Sequence, residues 1–65
     1  MITTLLIGYY AFVEQEHYDT FCDIYRCYTL DNEFVGKVIT NDRRTAMDYF
    51  KDRIEKGAYN EAENT

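Results

Sequence analysis

From Ile2 to Val13 the chain reads ITTLLIGYYAFV, with Leu5, Leu6, Ile7, Tyr9, Tyr10, Phe12 and Val13 apolar or β-favouring and without helical spacing. This pattern predicts a first strand from Ile2 to Glu14, buried on both sides or nearly so, in which Gly8 marks a bulge or a close backbone approach. The polar cluster Glu14-Gln15-Glu16-His17 reads as the first turn, and Tyr18 to Leu30, with Phe21, Ile24, Tyr25 and Tyr28, as the second strand. Asp31-Asn32 supplies a tight-turn signal, because Asx residues tolerate positive φ, before a third strand from Phe34 to Thr40.

The period then changes. Ala46, Met47, Phe50 and Ile54 recur at helical spacing and make one apolar stripe. Either Thr40 or Asn41 is expected to cap this helix, Asp42 suits the positive end of its dipole, and Gly57 after Lys56 reads as its stop. The predicted fold is α+β: a three-stranded antiparallel meander followed by one C-terminal helix packed on one face (βββα). Residues 1–58 form the single domain and 59–65 a polar tail, with Tyr59 placed to fold back onto it.

Register decides which face the helix covers. With a hairpin loop of two or four residues, Tyr28 is expected opposite Val35 and Ile24 opposite Ile39, which makes Arg26 and Lys37 cross-strand neighbours. Burying two unpaired cations under a helix costs several kcal/mol, so the helix is expected on the side of Phe21, Tyr25, Phe34 and Val38. The other side carries Ile24, Arg26, Tyr28, Val35 and Lys37, with one face of the first strand and Tyr10 or Tyr9 beside them. Where neither strand order nor the tail covers it, that apolar patch exceeds what a monomer usually exposes. Ile24, Arg26, Tyr28, Val35, Lys37 and Tyr10 are therefore the candidate partner-binding residues, the partner being a second copy or another protein.

Composition sharpens this. A chain of 65 residues with eleven aromatics, seven of them tyrosine, has more apolar surface than one helix can hide. A domain this small buries only about 60% of the surface of its unfolded chain and commonly needs a staple. Cys22 and Cys27 are five apart in a strand-like run, on opposite faces, so they are expected as free thiols. One histidine, His17, and no spaced pairs of Cys or His give a structural metal no support, and no cofactor is expected. Association is the staple that remains.

Net charge is −5, from twelve acidic and seven basic residues, which argues against a nucleic-acid backbone binder. The first apolar run is too short for a bilayer and lacks a basic start and a cleavage site, so a cytoplasmic protein without a membrane partner is expected. Asp48, Asp52 and Glu55 interleave with Arg44, Lys51 and Lys56 as a salt-bridged helix face, and the three glycines are scattered. No catalytic constellation emerges, and an enzyme is not expected.

The segment Phe34 to Ile54, FVGKVITNDRRTAMDYFKDRI, resembles the strand-then-helix unit of small phage accessory proteins, among them the phage-encoded inhibitors of bacterial RNA polymerase. That resemblance implies a non-enzymatic, virus-encoded inhibitor or modulator of a host protein. A second resemblance is to small acidic phage inhibitors of uracil-DNA glycosylase and to anti-CRISPR proteins, carried by Glu14, Glu16, Asp19, Asp48, Asp52, Glu55, Glu61 and Glu63. It implies the alternative function, an acidic nucleic-acid mimic that blocks a DNA-binding enzyme. Arg44 and Lys51 interrupt the acidic row and place this reading second.

Overall fold

The computed structural model describes residues 1–57, so the expected tail and the fold-back of Tyr59 lie outside the described residues. Four strands form the sheet where the pattern had predicted three: β1 (Ile2–Ile7), β2 (Ala11–His17), β3 (Asp23–Thr29) and β4 (Phe34–Thr40), followed by α1 (Arg43–Lys56). They pair antiparallel in the order β1-β2-β3-β4. Among the described residues the architecture is thus an α+β meander with one helix, and its additional strand comes from a break inside the first apolar run.

That break is at Gly8. Its φ is +52°, and the Tyr10 N–H donates to the Ile7 carbonyl at 3.2 Å to close the turn. Glycine enters the left-handed region with no Cβ penalty. A Cβ here would also stand 3.0 Å from Tyr10 Cε2. The two tyrosines in the turn gave it the look of a continuous strand.

The supposed turn Glu14-Gln15-Glu16-His17 lies within β2, where polar residues are accommodated by cross-strand partners. Glu14 pairs with Arg26 and Glu16 with Ile24, and Arg26 reaches diagonally to Glu16 Oε1 at 3.2 Å. The Gln15 side chain donates to Asp23 Oδ2 at 2.6 Å and accepts from Arg43 Nε at 3.0 Å, tying β2 to β3 and to the start of the helix. The chain turns instead between His17 and Asp23, where Asp19 Oδ1 accepts the backbone N–H groups of Phe21 and Cys22 at 2.9 and 2.8 Å. Phe21, expected in the core, is 80% exposed in that loop.

Between β3 and β4 the loop has four residues, with Asn32 at φ +67°. Ile24 faces Ile39 and Arg26 faces Lys37, as expected. A register shift then moves Phe34 opposite Tyr28, while Gly36 faces Cys27 and Val35 is the extra residue. The bulge reverses two side chains. Val35 is 1% exposed and joins the core, whereas Phe34 goes to the other face. Arg53 Nε donates to the Val35 carbonyl at 3.0 Å, anchoring the bulge to the helix.

The core beneath α1 comprises Ile7, Ala11, Val13, Tyr25, Cys27, Val35, Ala46 and Phe50, with Leu5, Val38, Met47 and Ile54 packed against it. Burial, with the Asp23 carboxylate adding to it, holds the Tyr25 phenol above its ordinary range. Burial also pushes the Cys27 thiol from 9.0 up to about 11. Asp42, rather than Thr40 or Asn41, caps the helix: its carboxylate accepts the Arg44 N–H at 3.1 Å and the Thr45 hydroxyl at 2.7 Å. Gly57, at φ +63°, ends it as predicted, its N–H directed to the Arg53 and Ile54 carbonyls.

Candidate protein-association face

Strand alternation sends residues to either side of the sheet, and the ladder registers arrange the helix-free side in rows perpendicular to the strands. The first row is Leu6, Phe12, Tyr28 and Phe34, one residue from each strand, each opposite the next. It is apolar from edge to edge. The Phe12 and Tyr28 rings stack at 5.5 Å between centroids, and Tyr28 meets Phe34 edge-on at 5.8 Å. Leu6 at 71% and Phe34 at 41% are exposed at the two ends of the row.

The second row is Thr4, Glu14, Arg26 and Lys37, with its acid on β2 and its bases on β3 and β4. The third is Ile2, Glu16, Ile24 and Ile39, in which Ile2 and Ile39 are 51% and 42% exposed. Ile24 is itself buried, yet belongs to no part of the core under the helix. The Arg26–Glu16 pair stands at the surface, where such bridges contribute at most about 1 kcal/mol.

Four of the six residues singled out in the sequence, Ile24, Arg26, Tyr28 and Lys37, share this face. Val35 does not, because the bulge turns it into the core. Tyr10 does not either: it lies in the β1–β2 turn, 67% exposed, and lines a cavity of about 220 Å³ with Ile7, Gly8, Lys51, Ile54 and Glu55. That cavity is smaller than typical small-molecule sites. Leu6, Phe12 and Phe34 were missed. Leu6 and Phe12 stand symmetrically about Tyr9, so reading Gly8 as a turn would have paired them.

On the helix, Asp52 pairs with Lys56 at 3.2 Å and Asp48 lies 4.0 Å from Arg44. Among the described residues no three His, Cys, Asp or Glu side chains gather as a metal site, and both cysteines are free, Cys22 half-buried and Cys27 buried. No helix among them is long and apolar enough to cross a membrane. Comparison with protein-family models, with curated proteins and with solved structures finds no match in any of the three.

Proposed function

We propose that this chain is a non-enzymatic protein-binding domain, a phage-type inhibitor or modulator that engages a host protein in the cytoplasm through its helix-free sheet face. The observation that carries this reading is the Leu6-Phe12-Tyr28-Phe34 row, apolar across all four strands on the face that the helix leaves open. Sheet faces that meet only water normally alternate towards polar side chains. Tyrosine and arginine at the middle of such a patch supply large contact area with a hydrogen-bonding end, as interface anchors do. The acidic-mimic reading stands second, because the helix acids Asp48 and Asp52 share their charge with Arg44 and Lys56.

The test is affinity capture from a bacterial lysate with the wild-type chain and a Tyr28→Asp variant as baits, both verified as folded by circular dichroism. Wild type is expected to retain a protein that the variant loses. Equal capture by both baits overturns the proposal, and capture lost on raising salt but indifferent to Tyr28 favours the acidic mimic.

A further inference from the structure

The charged row has a symmetry that selects a partner. Two identical sheets stacked face to face with full overlap must be related by a two-fold axis lying between the sheets, through the middle of the four strands. The axis has two principal directions. Perpendicular to the strands, it sets each strand over its own copy and brings Glu14 to Glu14, Arg26 to Arg26 and Lys37 to Lys37. Parallel to the strands, it sets β2 over β3 and β1 over β4. Glu14 then meets Arg26 of the second copy, twice over, and Leu6 meets Phe34 while Phe12 meets Tyr28.

We infer that the occupant of this face is a second copy of the chain, stacked about a two-fold axis that runs along the strands between β2 and β3. This rests on reading the face as an association surface and names its partner. Glu14 and Arg26 meet as opposite charges in that arrangement, with Lys37 over Thr4 and Glu16 over Ile24. The other sets Glu14, Arg26 and Lys37 each on its own like charge, so electrostatic complementarity favours the first. The apolar ends also match, with Ile2 over Ile39 of the second copy as well as Leu6 over Phe34. Sheet twist offsets these pairings by the roughly 30° usual for aligned sheets without changing which strands meet.

Size sets the strength. Four strands at ~4.8 Å spacing, each rising ~3.3 Å per residue, give a face of about 400 Å² in projection. Two such faces, corrugated by their side chains, bury about 1,000 Å² of accessible surface, at the lower end of specific interfaces. The result is a weak, concentration-dependent dimer that keeps the aromatic row from water and must open before another protein can take its place.

Sedimentation equilibrium over a wide concentration range tests this. Wild type is expected to dimerise, and Tyr28→Asp to remain monomeric. Glu14→Arg and Arg26→Glu are each expected to weaken the dimer more than about tenfold through like-charge contacts. Mixing those two variants should restore association as a heterodimer, a rescue that a role within one copy does not produce. The axis is read by a short bis-maleimide in a Cys22→Ser background: Leu6→Cys is expected to cross-link to Phe34→Cys in a mixture, and neither to itself. Both substitutions fall at exposed positions, so the fold survives them.

A wild-type chain that stays monomeric at its highest soluble concentration overturns the second copy, while the lysate capture still decides separately whether the face binds another protein. A dimer indifferent to Tyr28→Asp, or Leu6→Cys cross-linking to itself, also overturns it.

Discussion

Tyr28 meets Phe34 edge to face across β3 and β4, at 5.8 Å between ring centroids, and the neighbouring Val35 is the residue that enters the core. The register shift beside Cys27 accounts for both placements. It follows that truncating Val35 to alanine costs about 2 kcal/mol of stability, as for other buried aliphatic truncations. Phe34→Ser, at a 41% exposed site, costs less than about 1 kcal/mol. Urea denaturation of the two variants checks the order, which is the reverse of what uninterrupted strand pairing predicts.

Gly8 and Gly36 are expected to differ sharply as alanine. At Gly8 the positive φ and the 3.0 Å approach of Tyr10 make Gly8→Ala destabilising by about 1–2 kcal/mol. At Gly36 a Cβ meets Phe50 Cε1 and Arg53 Nε at 3.4 Å, which is contact without overlap, so Gly36→Ala stays within about 0.5 kcal/mol of wild type. Gly36→Val overfills the space beneath Phe50 and costs about 1–3 kcal/mol. Thermal melts of the three variants separate these effects.

The helix start gives a further expectation. Asp42→Ala removes the acceptor for the Arg44 N–H and the Thr45 hydroxyl, costing about 1 kcal/mol. Asn41→Ala, exposed and not the cap, is close to neutral. Chemical denaturation of both variants distinguishes Asp42 from the cap positions that the sequence had favoured.

Alkaline pH should weaken the fold. The Cys27 thiol titrates near 11 when folded against 9.0 ordinarily, so between these values the folded chain holds a proton that the unfolded chain has released. Stability contributed by the neutral thiol is complete below about 9 and falls by roughly 2–3 kcal/mol as pH rises through 11. The buried Tyr25 phenol, also raised, acts in the same direction. Urea titrations of wild type and Cys27→Ala between neutral and alkaline pH should show a steeper loss in wild type.

Much of the fold was legible because it depends on local periodicity. Ala46, Met47, Phe50 and Ile54 mark the helix, Gly57 its end, and β4 runs from Phe34 to Thr40 as its pattern indicates. The Ile24–Ile39 and Arg26–Lys37 pairings followed from loop length and alternation. The break at Gly8 was harder to see, since tyrosines on either side of a turn and tyrosines within a strand look alike in sequence. The polar stretch of β2 was hidden for the opposite reason: Glu14, Gln15 and Glu16 look like a turn until Arg26, Asp23 and Arg43 are beside them.

By itself, then, the sequence determined the α+β class, the helix with its C-terminal stop, the cross-strand Arg26–Lys37 pair and an apolar excess that one helix cannot cover. Only the tertiary structure decided the number of strands, the inward turn of Val35 and the assembly of Leu6, Phe12, Tyr28 and Phe34 into one row. The physical reason is that the local turn at Gly8 takes effect only through the strand pairing it permits, and the one-residue register shift is held by the helix, where Arg53 Nε donates to the Val35 carbonyl. Hydrophobic period records which residues want burial, whereas pairing between strands decides which of them meet.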